Sequence, residues 1–152
     1  MDALSASSPF LILRPESWVP PVGYQYGAVC DLGAVWKICF GGVTGMDATQ
    51  GDVIVEPENI VRQAAAAFEN VHTLMRCAAK LIGRSVEPIH LFSLRIYTPD
   101  MNLYRAQLKP IGEQYRLKFG RVYAPTALIG CSALFNPDAL VEYVPEFLVP
   151  KS

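Results

Sequence analysis

The sequence is poor in the features on which several large function classes depend. Its four cysteines, Cys30, Cys39, Cys77 and Cys131, form no C-x-x-C pair, and its only histidines are His72 and His90. A zinc site is therefore not expected, and no other cofactor is implied. Thirteen basic residues against fourteen acidic ones leave a net charge of −1, with no basic run longer than a pair. Phosphate binding needs clustered Lys and Arg, so nucleic acid is not an expected partner. No stretch approaches 18 consecutive apolar residues, which argues against a membrane span. Met1 to Pro9 lacks a basic n-region and Phe10 to Leu13 is too short for an h-region, so no signal peptide is read there. With no contrary signal, a cytoplasmic protein with reduced thiols is the expectation.

Charge is also scarce overall. Only 18% of the 152 residues are charged, whereas 51% are hydrophobic, against a usual charged share of about 25%. A chain of this length forms one ordinary domain, and the apolar excess predicts a buried subunit interface.

Residues 1–23 are rich in Ser and Pro and read as an arm with at most one edge strand, followed by a domain over 24–150. Ala28 to Gly41 reads as a strand pair broken by the turn Asp31-Leu-Gly33. A helix is predicted to begin near Glu56-Pro57-Glu58, to carry an apolar stripe from Ile60 to Leu81, and to end at Gly83. His90 to Thr98 alternates as a strand, with Phe92, Leu94 and Ile96 on one side and Leu91, Ser93, Arg95 and Tyr97 on the other. Asp100 can cap a second helix, which Pro110 divides so that the main segment runs from Ile111 to Phe119. Two last strands, Ala127 to Phe135 and Ala139 to Val144, flank the turn Asn136-Pro137-Asp138. The order β-β-α-β-α-β-β predicts an α+β domain: a mixed sheet with two helices on one face, whose other face oligomerisation would cover.

Glu142 sits on an otherwise apolar strand, where a carboxylate is either a solvated outward residue or an acid/base group, and burial decides. Ala127, Ile129 and Cys131 share one face by alternation. A nucleophilic Cys131 would need an electropositive neighbour, and a small buried hydrophobe is the plainer reading. Arg95, a charged residue in mid-strand, either meets a substrate or pairs with a carboxylate at an interface.

Several landmarks together resemble the Rid family, the reactive intermediate deaminases also called YjgF-like proteins. Asp31-Leu-Gly33 with Phe40-Gly-Gly42 resembles the family's D-L-G and S-G-Q region, Gln63 with Asn70-Val71 its Q-x₆-N-V pattern, Tyr97-Thr-Pro-Asp-Met-Asn102 its F/L-x-x-D-x-N signature, and Asn136-Pro-Asp-Ala-Leu-Val-Glu142 its L-P-x-D-A-L-V-E. The resemblance implies a chorismate-mutase-like fold with a six-stranded sheet, and a homotrimer with a central barrel and pockets between subunits. It also implies hydrolysis of 2-imino or 2-enamino acids held by an arginine. Counting back from Asp138, that arginine falls on Ala127, so the carboxylate clamp is absent.

What the resemblance leaves is a Rid-like enzyme for a small, less acidic imine, enamine or carbonyl compound, in a specialised biosynthetic or catabolic pathway. Glu142 would move protons, and Tyr26 with the amides near Gly41 and Gly42 would polarise the reacting group. Tyr24, Phe40, Arg95, Ala127, Ile129 and Cys131 would line the site. Hydrolysis, tautomerisation and condensation or cyclisation all stay open. The alternative is a non-catalytic trimer that binds a small molecule or another protein; RNA cleavage, attached to some relatives, fits neither the charge nor the absence of a histidine pair.

Overall fold

A computed structural model describes residues 10–152, so the first nine residues of the expected arm lie outside the described residues. The strands are β1 (Phe10–Ile12), β2 (Gly27–Asp31), β3 (Val35–Phe40), β4 (Met46–Asp47), β5 (Val53–Ile54), β6 (Leu91–Thr98), β7 (Thr126–Gly130) and β8 (Glu142–Pro150). The helices are α1 (Ile60–Ile82), α2 (Met101–Ala106) and α3 (Leu108–Phe119). Six strands form one mixed sheet in the order β1-β2-β3-β8-β6-β7, in which β6 and β7 are parallel and the other neighbours antiparallel. β4 and β5 form a separate two-stranded ribbon. This is an α+β domain with the two long helices, α1 and α3, packed over the sheet.

α1 starts at Ile60, later than the Glu-Pro-Glu cluster suggests. Glu56 adopts φ 43°, outside the helical region, and Asn59 is the cap, its side chain accepting from the Arg62 N–H at 3.1 Å. Gly83 ends the helix in the left-handed conformation, its N–H bonded to the Ala79 carbonyl. Phe68 of α1 meets Tyr143 of β8 and Tyr115 and Phe119 of α3 at ring separations of 4.6 to 5.7 Å, which locks both helices to the sheet. The break in the second helix comes at Gln107 rather than at Pro110. Pro110 lies in the first turn of α3, where no intrahelical N–H is needed.

Two strand expectations change. In β6, pairing with β8 slips between Leu91 and Ser93; the bulge moves Leu91 to the buried side with Leu94 and Ile96, and leaves Phe92 53% exposed. The C-terminal strands are displaced: β7 stops at Gly130, residues 131–141 form a connection, and β8 runs on to Pro150. Phe135, expected in a strand, is fully exposed.

β8 lies inside the sheet although it contains Pro145. The Tyr143 N–H donates to the Val43 carbonyl, so two residues on, the donor that Pro145 lacks also belongs on the β3 side. The β3–β8 ladder lapses there. Cys39 pairs with Glu146 and Val43 with Tyr143, so four steps on one strand oppose three on the other. The extra residue forms a bulge at Gly41–Gly42, which turns this segment beside the start of β8.

Candidate functional site

A cavity of about 400 Å³ opens beside that bulge and draws its walls from residues 22–26, 42–52 and 134–142. Glu142, the first residue of β8, lies directly against Gly42 in its wall. A Cβ on Gly42 would fall 1.2 Å from the Glu142 Oε1, so only glycine leaves room for this carboxylate. Glu142 is half-buried, and burial, with a smaller contribution from the Asp52 charge, raises its pKa above the ordinary carboxylate range.

Two motif residues hold the walls. Gln63, fully buried on α1, donates to the carbonyls of Pro57 (3.0 Å) and Asp138 (3.1 Å) and accepts from the Leu140 N–H (2.8 Å). The Thr98 hydroxyl donates to the Leu140 carbonyl at 2.9 Å. These bonds fix the stretch leading into Glu142. On the opposite wall the Asn70 amide donates to the carbonyls of Thr44 (3.0 Å) and Met46 (2.9 Å). The Asn136 side chain donates to the Asp52 carbonyl at 2.7 Å and joins the two walls.

Tyr24 and Tyr26 both line the cavity, their rings edge to face at 5.8 Å. Tyr26 is buried against Trp18 and donates its hydroxyl to the Val19 carbonyl at 2.6 Å, so its proton is already committed. Burial, then Tyr24 and Asp52, push its pKa up to about 12. Tyr24 is 49% exposed; burial and then Asp52 raise its pKa as well, against the opposing effect of its hydrogen-bonding contact with Tyr26. Of the two hydroxyl-bearing rings, Tyr24 is the more accessible from the cavity.

The remaining expected residues are placed elsewhere. Phe40 is a core residue, packed on Phe147 at 5.4 Å, and does not wall the cavity. The Gly41 N–H is spent on the Tyr26 carbonyl at 2.8 Å; the Gly42 N–H bonds to no described residue. Arg95, Ala127 and Ile129 share the sheet face away from the helices, with Arg95 beside Ala127 in register and opposite Val144. The Arg95 side chain makes no ion pair or hydrogen bond within the described residues. Cys131 follows β7, its N–H bonded to the Thr98 carbonyl. None of these four lines the cavity.

Asp52, Thr44 and Phe135 line the cavity without having been singled out in the sequence. They sit in connections without periodicity, and no motif marks them. Asp52 matters most, because it gives the cavity a second carboxylate while no Lys, Arg or His lines it. Among the described residues, no group of three or more His, Cys, Asp or Glu is placed to hold a metal ion, and no helix is long and apolar enough to cross a membrane.

An antiparallel-dominated six-stranded sheet backed by two long helices, with a pocket at the start of its last strand, defines an α+β small-domain class. Within that class the chain has the fold of the YjgF/Rid proteins. It is similar to the Rid-family protein YyfA from Yersinia pestis (TM-score 0.70, 16% identity, covering 92% of this chain and 99% of that one). Similar too are TdcF from E. coli with bound serine (0.66, 20%, 93% and 99%) and RidA from an Antarctic Psychrobacter (0.65, 16%, 88% and 95%). No family model and no curated protein matches the sequence.

Proposed function

We propose that the chain is a divergent Rid-like enzyme that acts on a small imine, enamine or carbonyl compound, with Glu142 as its acid/base. The observation that carries this is the Glu142 carboxylate, seated against Gly42 inside a cavity, with its pKa raised chiefly by burial. A carboxyl group tuned upward exchanges a proton at a carbon–nitrogen or carbon–oxygen double bond more readily near neutral pH. In a hydrolytic cycle it takes a proton from the attacking water and returns it to the departing nitrogen. Tyr24 and the unspent Gly42 amide supply donors to the polarised atom.

The lining favours a ligand without a carboxylate. Asp52 and Glu142 bring negative charge, Ala127 offers no clamp, and Arg95 lies outside the cavity. A carboxylate brought in against unpaired like charge is opposed electrostatically. Assembly as a homotrimer with a central barrel would cover the open sheet face, where Ile12, Ile129, Val144 and Leu148 sit partly exposed around a Lys37–Glu146 ion pair at 3.8 Å.

The test compares wild type, Glu142→Gln and Ala127→Arg for release of ammonia from freshly generated 2-iminobutyrate, 2-aminoacrylate and a carboxylate-free imine. Wild type is expected to prefer the carboxylate-free imine, Glu142→Gln to lose that turnover, and Ala127→Arg to gain on the two acids. Turnover that survives in Glu142→Gln would sink the proposal. Strong wild-type activity on the acids would instead show that another group, Arg95 first, holds the carboxylate.

A further inference from the structure

Glu142 and Tyr143 are neighbours on β8 and point to opposite faces of the sheet. Tyr143 lines a second cavity, of about 190 Å³, between α3 and the β6–β7 end of the sheet. Leu94, Ile96 and Ile111 make its apolar walls, and Leu108 and Tyr123, both more than half exposed, stand at its rim.

Three features of this cavity are not explained by packing alone. The Tyr143 hydroxyl is buried, with 1% of the residue exposed, and has no hydrogen-bond partner. Buried hydroxyls are rarely left so, because the lost hydration is uncompensated. The second feature is Tyr104, which shares the cavity and brings its hydroxyl close to that of Tyr143, so that two phenol groups meet in an otherwise apolar space. The third is Gly112, inside α3 on the cavity wall. A glycine weakens a helix interior, yet a Cβ there would touch only the end of the flexible Arg116 side chain, at 3.4 Å. No backbone approach demands glycine. Its effect is to keep that wall open.

We propose that this cavity is a second ligand site, for one small monocyclic aromatic molecule that carries a hydroxyl or carbonyl group. An apolar cavity of about 150 Å³ holds a benzene ring, so 190 Å³ accommodates one ring with a small substituent. The ring lies against aliphatic and aromatic walls, and the substituent meets the Tyr143 and Tyr104 hydroxyls. This site is independent of the chemistry at Glu142.

Phenol and toluene are matched probes, alike in size and differing in one hydroxyl. Methyl NMR of Ile96 and Ile111 should show saturable shifts with phenol, and binding of toluene about three- to tenfold weaker, the worth of one hydrogen bond. Tyr143→Phe should erase the preference for phenol while still admitting toluene. Gly112→Leu should abolish both without lowering Tm, and Leu108→Trp, at an exposed rim position, closes the mouth if that variant fails to fold. Absence of saturable shifts up to the solubility of phenol, shifts confined to Met46 in the other cavity, or unchanged binding in the closed variants would each overturn the proposal.

Discussion

Gly42→Ala separates the placement of Glu142 from the stability of the fold. The new Cβ would sit 1.2 Å from Oε1 and 2.3 Å from the carboxyl carbon. Non-bonded contacts settle near roughly 3.5 Å, so the carboxyl group must move by roughly 2 Å. A displacement of that size at a proton-transferring group costs about 100-fold or more in rate. Stability should change little. Gly42 does not have positive φ, an off-rotamer glutamate costs about 0.5–1.5 kcal/mol, and the lost backbone freedom of the unfolded chain offsets about 0.4–1 kcal/mol. Gly45→Ala is the control. Its Cβ would lie 2.5 and 2.6 Å from the Gln63 carbonyl oxygen and Cα, backbone that cannot swing aside, and a loss of about 1–3 kcal/mol is expected. Urea unfolding, turnover and the carboxyl ¹³C titration of Glu142 measure the three quantities. If Gly42→Ala leaves both turnover and titration unchanged, or destabilises as much as Gly45→Ala, the carboxylate is not where this reasoning puts it.

The raised pKa of Glu142 also has a stability sign. The folded state holds this proton more tightly than the unfolded chain, so the stabilisation it gives is complete below the ordinary carboxylate pKa and is lost as pH rises through the raised value. Glu142→Gln should therefore be more stable than wild type at neutral pH, with the difference shrinking toward pH 4 in thermal melts. Phe40→Ala, a core truncation, should cost about 3–5 kcal/mol, whereas Phe135→Ala, fully exposed at the cavity, should stay within about 0.5 kcal/mol and alter ligand affinity instead. Gln63→Leu strands the Leu140 N–H and should cost about 1–3 kcal/mol; turnover should fall further than stability alone accounts for, because the chain leading to Glu142 loses its anchor.

The order of elements was legible because periodicity and turn residues agree along most of the chain. α1 carries a strong apolar stripe and a glycine stop, and Asp100 caps α2 through the Leu103 N–H at 2.8 Å. The β4–β5 ribbon was not legible, since two-residue strands have no period. β8 was expected to end at Val144, just before Pro145, yet it runs on to Pro150. Only the tertiary ladder shows that the N–H missing from Pro145 falls where β3 has already bulged away. In β6 the extra residue near Phe92 reversed an alternation that was locally clear. For the site, the carboxylate and its glycine were legible as spaced landmarks. The roles of Gln63 and Asn70 were not, as their bonds reach carbonyls as many as 75 residues away. Phe40 misled because an aromatic residue beside two glycines looks the same in sequence whether it faces a ligand or the core.

Asp52 offers a test of what sets the proton affinity of Glu142. Burial is the larger cause of the raised pKa and the Asp52 charge the smaller. Replacing Asp52 by Asn removes the like charge and leaves the cavity shape nearly intact, because the Asn136 bond goes to the Asp52 backbone carbonyl rather than its side chain. The Glu142 pKa should then fall yet stay above the ordinary carboxylate range, and salt should weaken the difference between the two proteins, as screening acts on the charge and not on the burial. If Glu142 acts as the proton donor, the alkaline limb of the pH–rate profile should move to lower pH by the same amount. A return of Glu142 to the ordinary range in Asp52→Asn would show that repulsion outweighs burial. The cavity would then be wetter than its walls suggest, and its acid would be tuned by a loop residue rather than by the fold.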